Sequence, residues 1–331
     1  MVKGVTRLEW PPMRPMDIDS TFVPYLKELV RERKQSIDLD DVTTRRARMK
    51  NKRLSIPLTG TDDVVIGSRT VDVATHSIPI RTYRPRAHEG PLPVILYIHG
   101  GGWMYGSPEQ SDSIAIEYCA RTQAVVVSPE YRLAPEWVFP AAFDDCFAVL
   151  RWLYENKAVL DIDAERVALA GESSGGNLAA ACALEARCLD QPPIRLQLLN
   201  YPALAPDFSS AAYQENEHAP VLSAREMIYF WQSYLPSHSN RPDFRAAPLH
   251  AQDLVDVAPA YIVTAEYDPL RDDGIRYADA LSNAGIDVTH VHAPHLTHGF
   301  MRAWPESVGA GQYAQDNCAA INTVFGRRHS R

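Results

Sequence analysis

Gly171-Glu172-Ser173-Ser174-Gly175 fits G-x-S-x-G, the sharp strand-to-helix turn that lifts a serine hydroxyl clear of a sheet. Upstream, His99-Gly100-Gly101-Gly102-Trp103 fits a glycine-rich loop whose backbone N–H groups can stabilise a developing oxyanion. A serine hydroxyl is a poor nucleophile until a base takes its proton, and that base needs an orienting acid. The two motifs point to acyl chemistry at Ser173, with the acid and then the base expected downstream. Asp268, in Glu266-Tyr267-Asp268-Pro269-Leu270, and His298, in Thr297-His298-Gly299-Phe300, occur in that order.

These residues need elements to hold them. Short apolar runs at 93–98, 124–128, 167–170, 196–199 and 261–265 are rich in Val, Ile or Leu and bounded by turn residues, as in strands buried on both faces. Helical stripes fall between and after them, at 139–154, 274–284 and 312–325. Alternation over 69–85 reads as an antiparallel pair turning near His76-Ser77. The fold class is α/β, a mostly parallel central sheet flanked by helices. Asp268 and His298 each follow a strand-like run, so both belong at the sheet edge that carries Ser173.

Two segments do not fit the sheet. Residues 20–34 form an amphipathic helix with Phe22, Leu26, Leu29 and Val30 on one face, and 207–236 hold a second helix opened by the capping box Ser223-x-x-Glu226. The stripe Met227, Phe230, Trp231 and Tyr234 on that helix is apolar, and an insertion on the carboxyl side of a central strand sits where such sheets bind ligands. The expected organisation is an N-terminal helical cap over 1–55, a first core part over 56–204, a cap insertion over 205–245 and a second core part over 246–331.

The order of motifs resembles the hormone-sensitive-lipase-like branch of the α/β-hydrolases, the esterases with an HGGG loop. The likeness runs from about Val71 onward and includes Tyr131-Arg132-Leu133-Ala134-Pro135-Glu136, Phe139-Pro140-Ala141-Ala142, the Asp-Pro-Leu at Asp268 and His298-Gly299-Phe300. It implies an α/β-hydrolase fold with Ser173 as nucleophile, Asp268 as acid and His298 as base. The amides of Gly101, Gly102 and Ser174 would form the oxyanion hole, and His99 would brace the glycine loop. The chain departs from the family at Glu172, where Asp is usual, at Ser174, where Ala is usual, and at His295, where a Pro-Gly turn is common.

The rival residues have duller readings. Asp272 and Asp273 fall in the next helix as first-turn residues. His290, His292, His295 and His298 cluster, but no carboxylate or cysteine set accompanies them, so no metal is expected. The run Arg45, Arg46, Arg48, Lys50, Lys52 and Arg53 lacks interleaved aromatics and reads as a solvated helix face. Trp103, Tyr105, Phe22, Phe208, Tyr213, Phe230 and Trp231 are the candidate substrate-pocket residues.

With 33 basic and 41 acidic residues the net charge is −8, which argues against nucleic acid or an anionic membrane as partner. No leader-like apolar segment opens the sequence and no run nears the roughly 18 residues of a bilayer span. Five scattered cysteines without C-x-x-C suit a reducing cytoplasm. The expected partner is a small-molecule ester, with no cofactor, and family members often form homodimers. Open alternatives are an amide or acetyl-group hydrolase, an acyltransferase, or a non-catalytic small-molecule receptor of the same architecture.

Overall fold

The computed structural model describes residues 4–9, 15–34, 42–54, 60–189, 193–236 and 243–326. A short antiparallel pair, β1 (Val5–Leu8) and β2 (Met16–Asp19), precedes helices α1 (Val23–Lys34) and α2 (Val42–Leu54). Then come β3 (Val64–Asp72), β4 (Ser77–Pro85), β5 (Leu92–Ile98), α3 (Asp112–Thr122) and β6 (Val125–Pro129). The middle of the chain holds α4 (Ala141–Glu155), α5 (Lys157–Leu160), β7 (Ile162–Glu172), α6 (Ser174–Ala186) and β8 (Leu196–Asn200). The remainder comprises α7 (Ala211–Glu215), α8 (Ala224–Tyr234), β9 (Ala260–Tyr267), α9 (Arg271–Asn283), β10 (Val288–Thr297) and α10 (Val308–Val324).

Eight strands make one sheet in the order β10-β9-β8-β7-β5-β6-β4-β3. β3 and β4 join in antiparallel fashion; the pairs from β6 across to β10 are parallel. This is the α/β-hydrolase architecture that the motifs imply. The run at 167–170 marks only the second half of β7. Its first half carries Asp163, Glu165 and Arg166, and a register shift against β5 separates the halves, so hydrophobicity alone does not reveal it.

Both faces of the sheet are covered, which is why its central strands are continuously apolar. One core layer contains Val149, Leu150, Leu153, Leu178 and Leu281 from α4, α6 and α9; the other contains Leu26, Ile114, Ala314 and Ile321 from α1, α3 and α10. Asp273 lies in the first turn of α9, as expected, and is fully buried there. Its carboxylate accepts the N–H groups of Leu204 and Ala205 at 2.8 and 3.2 Å and fixes the chain where it leaves β8. Among the described residues no helix is long and apolar enough to cross a membrane.

Helix α8 is held by the capping box expected at its start: the Ser223 hydroxyl accepts the Glu226 N–H, and the Glu226 carboxylate accepts the Ser223 N–H at 3.0 Å. Farther along it, Trp231 and Tyr234 close on Trp103, with ring centroids 4.5 and 4.4 Å away. All three side chains are sealed from solvent. Trp231→Ala should therefore cost about 3–5 kcal/mol, whereas Val159→Ala at a solvated position should cost under about 0.5 kcal/mol. Urea unfolding of the two variants checks this, and equal costs would contradict the packing described.

Candidate active site

Three of the parallel strands end in residues that meet. Ser173 follows β7, Asp268 follows β9 and His298 follows β10. Ser173 sits at φ 56° and ψ −121°, a sharp turn from strand to helix. Its N–H donates to the Asn200 carbonyl at 2.9 Å, and its own carbonyl accepts the Asn177 N–H at 3.1 Å. The turn is possible because its flanks have no side chains. A Cβ on Gly171 would lie 2.2 Å from the Gly175 oxygen, and one on Gly175 would lie 2.0 Å from the Ile98 oxygen. Ser174 opens α6, so its amide belongs to the electropositive end of that helix.

His298 Nε2 lies 3.0 Å from Ser173 Oγ, and its Nδ1 lies 2.7 Å from Asp268 Oδ2. With Nδ1–H donating to the carboxylate, Nε2 is left as an acceptor facing the hydroxyl. Asp268 is fully buried and its other oxygen accepts the Leu270 N–H at 2.8 Å, which fixes the carboxylate plane. A break in the β9–β10 register between Ala293 and Thr297 turns the end of β10 toward Ser173. Within it, His295 adopts φ 64°, a conformation that suits glycine. Two contacts hold it there: its N–H donates to Glu266 at 2.8 Å, and its Nδ1–H donates to the Asp17 carbonyl at 2.9 Å.

The glycine loop lies beside the serine. Gly101 and Gly102 have φ 129° and 62°, and both line the same cavity as Ser173 and His298. Side chains are excluded here too: a Cβ on Gly101 would meet the Tyr105 oxygen at 2.2 Å, and one on Gly102 the Phe230 ring at 2.5 Å. The Gly101 carbonyl accepts the N–H groups of Met104 and Tyr105 at 3.2 and 2.9 Å, which closes the loop into a tight turn. His99 bonds the Gly100 carbonyl through Nδ1 at 2.9 Å and stacks on Tyr131, whose hydroxyl donates to the His99 carbonyl. Burial pushes His99 down to about 4, against the raising effect of the Gly100 carbonyl, so it is neutral near pH 7.

Glu172, the departure beside Ser173, has a structural partner that the motifs do not announce. Arg302 donates to Glu172 Oε1 from Nε and Nη2 at 3.0 and 2.8 Å, while the Tyr201 hydroxyl donates to Oε2 at 2.8 Å. Burial alone would raise the Glu172 carboxyl, but Arg302 and Tyr201 more than offset it and hold the group below its ordinary value. The Tyr201 ring packs edge-on against His298 at 4.8 Å. The ion pair therefore supports the ring that packs on His298. Arg302 lies four residues after His298 in a short turn of helix, and only the longer reach of Glu over Asp hinted at such a partner.

A cavity of about 510 Å³ opens on Ser173, within the range of small-molecule sites. Its walls come from α1 (Tyr25, Leu29), α2 (Arg45, Arg48, Met49), the glycine loop, Tyr105, and α8 with its approach (Val221, Leu222, Glu226, Phe230). Of the expected pocket residues, Tyr105 and Phe230 line it; the other five do not. Phe22 precedes α1 and faces the buried layer with Met16 and Ile18, so Tyr25 and Leu29, on another face of the helix, reach the cavity instead. Trp103 and Trp231 are consumed by their mutual packing, and Phe208 and Tyr213 pack edge-on against each other at 5.4 Å.

The basic run also differs from its reading as a solvated face. Arg46 donates to the Met104 and Ala134 carbonyls, each at 2.7 Å, and to both Glu136 oxygens, clamping α2 to the core. Arg45 lies over the Tyr105 ring at 4.5 Å. The side chains of Lys50, Lys52 and Arg53 lie outside the described residues. His290 and His292 share the Thr264 hydroxyl at 3.0 and 3.4 Å, and among the described residues no group of His, Cys, Asp and Glu is arranged to hold a metal ion.

Residues 95–302 match a family model described as an alpha/beta hydrolase fold. The chain is 41% identical over 268 residues to carboxylesterase NlhH of Mycobacterium tuberculosis, covering 79% of this chain and 83% of that protein. It is 37% identical to an ethyl acetate hydrolase of Pseudomonas putida, over 69% of this chain and 72% of the relative. A hyperthermophilic esterase from the archaeon Pyrobaculum calidifontis superposes with a TM-score of 0.84 at 31% identity, covering 93% and 99% of the two chains.

The Glu172–Arg302 pair sets a pH-dependent part of stability. Removing one partner of a buried pair leaves the other charge stranded. Because water reaches one edge of Arg302, Glu172→Gln should cost about 2 kcal/mol near pH 7. The carboxyl is held below its ordinary value of 4.5, so its contribution is present above that pH and is lost as pH falls through the lowered value. Urea midpoints of wild type and Glu172→Gln should converge in acid; a gap that stays constant with pH would contradict the assignment.

Proposed function

The chain belongs to the α/β-hydrolase family, in its hormone-sensitive-lipase-like branch, and from that premise we propose that it is a serine carboxylesterase of short- to medium-chain acyl esters. One observation carries this reading: the unbroken line from Ser173 Oγ through His298 to Asp268, opening on a cavity lined by the glycine loop. The relatives named as a carboxylesterase and an ethyl acetate hydrolase support it.

In the first step Ser173 Oγ attacks the ester carbonyl while His298 Nε2 takes its proton. The carbonyl oxygen becomes an oxyanion held by the amides of Gly101, Gly102 and Ser174. Each such donor is typically worth about 10²–10³ in rate. Asp268 keeps the Nδ1–H tautomer and stabilises the imidazolium. The C–O bond to the alcohol then breaks, and His298 delivers its proton to the departing oxygen. A water, deprotonated by His298, attacks the acyl-enzyme; collapse releases the acid and returns the proton to Ser173.

Helices α1, α2 and α8 supply the cap in this reading, enclosing the acyl and alcohol groups over the serine. The unpaired cysteines, four of the five buried, support a place in a reducing cytoplasm. A pure receptor has no use for a base held at hydrogen-bond distance from a strained serine, which disfavours that alternative. Amide hydrolysis and acyl transfer would proceed through the same acyl-enzyme.

Hydrolysis of p-nitrophenyl esters from acetyl to dodecanoyl tests the proposal. Turnover should peak at acyl chains of roughly four to eight carbons, the size that such a cavity accepts beside an alcohol group. Ser173→Ala should lose at least about 10⁴-fold in kcat. A folded Ser173→Ala that keeps wild-type turnover would sink the serine mechanism.

A further inference from the structure

Two guanidinium groups, Arg45 and Arg48, stand in the wall of the cavity that holds the reactive serine. They are three residues apart on α2, and with Met49 they share the face turned to the cavity. Arg45 is half-buried over Tyr105, whose backbone N–H bonds the Gly101 carbonyl of the glycine loop. Arg48 is exposed at the cavity mouth. Among the described residues no carboxylate forms an ion pair with either. Arg46, between them, spends its donors on the core and holds the helix in place, so the other two are presented by a fixed wall.

The remaining charges of the cavity are accounted for differently. Arg302 is neutralised by Glu172. The Glu226 carboxylate is engaged by the N–H and hydroxyl of Ser223 in the capping box. Among the described residues, a chain with a net charge of −8 thus places two guanidiniums without carboxylate partners in the wall of this cavity, Arg45 half-buried and Arg48 exposed, where each can make a charge-assisted contact to an anion.

We propose that Arg45 and Arg48 form an anion subsite, and that the preferred substrates are esters bearing a carboxylate several bonds from the scissile carbonyl. This rests on the esterase reading and names the substrate class of that site. The planar guanidinium presents paired donors that match a carboxylate, which an ordinary alkyl ester lacks. Because the contact is made equally in ground state and transition state, it acts on KM more than on kcat. The charge can sit on the acyl part or on the alcohol part of the substrate.

Two matched ester pairs separate those sources. p-Nitrophenyl hydrogen glutarate against p-nitrophenyl valerate places the charge on the acyl side. 4-Acetoxybenzoate against methyl 4-acetoxybenzoate places it on the alcohol side. The readout is the ratio of kcat/KM for the charged ester over its neutral partner, in wild type, Arg45→Gln, Arg48→Gln, the double variant and the Arg48→Lys variant. For at least one pair the ratio should fall about tenfold in the double variant, mainly through KM, with partial retention in Arg48→Lys. Raising salt should lower the wild-type ratio and leave that of the double variant nearly unchanged.

A fall of about threefold or more for either pair supports the subsite; a smaller change for both pairs overturns it. Calorimetric titration of 4-acetoxybenzoate and of glutarate into Ser173→Ala, with and without the two arginine substitutions, reads the same contact without turnover. Equal affinity in the two proteins, for both probes, would likewise overturn it. Absence of wild-type turnover on all four esters, charged and neutral alike, would instead count against the esterase reading.

Discussion

The close approach of three backbone segments governs this molecule. The start of α6 rests against the last carbonyls of β5, so near that any side chain at Gly175 would overlap the Ile98 oxygen. The end of β7 meets the same helix turn through Gly171. This contact forces Ser173 into a sparsely populated conformation and leaves its hydroxyl projecting over the sheet edge. The parallel order β7-β8-β9-β10 then fixes how far the ends of β9 and β10 stand from that hydroxyl. Rigid strands place Asp268 and His298, and a local register break makes the final correction.

Electrostatics in the site follow from burial. Every charge near the serine that is cut off from water has a partner: Asp268 has His298 and the Leu270 amide, and Glu172 has Arg302 and Tyr201. Burial without a counter-charge leaves His99 neutral, so it shapes the glycine loop without adding a charge where an oxyanion would form. Aromatic side chains divide in the same spirit. Trp103, Trp231 and Tyr234 pack on one another in the buried interior, whereas Tyr105 and Phe230 meet edge to face at 6.0 Å and line the cavity.

Motifs tied to backbone geometry were legible from the amino-acid order. The G-x-S-x-G turn, the glycine loop, the capping box at Ser223 and the strand-ending positions of Asp268 and His298 all depend on local constraints that residue types express directly. The first half of β7 was hidden because its polar residues do not alternate cleanly. The cavity wall was only partly legible. Phe22 and Tyr25 lie three residues apart, and that Tyr25 rather than Phe22 reaches the cavity follows from Phe22 being buried in the core layer with Met16 and Ile18, a tertiary fact. The partners of Arg46 lie 58 to 90 residues away in sequence, so its charge run reads as solvated where the fold supplies two carbonyls and a carboxylate, and Glu172 lies 130 residues from Arg302, beyond the reach of any local pattern.

The central claim is that Ser173 is a nucleophile activated by His298 and held ready by Asp268. Its most direct measurement is the rate and site of covalent labelling by a fluorophosphonate, read by intact and peptide mass spectrometry. The account predicts one adduct per chain, at Ser173, forming at least about 10³ times more slowly in His298→Ala. Labelling at another residue, or an unchanged rate at Ser173 without the histidine, would contradict it.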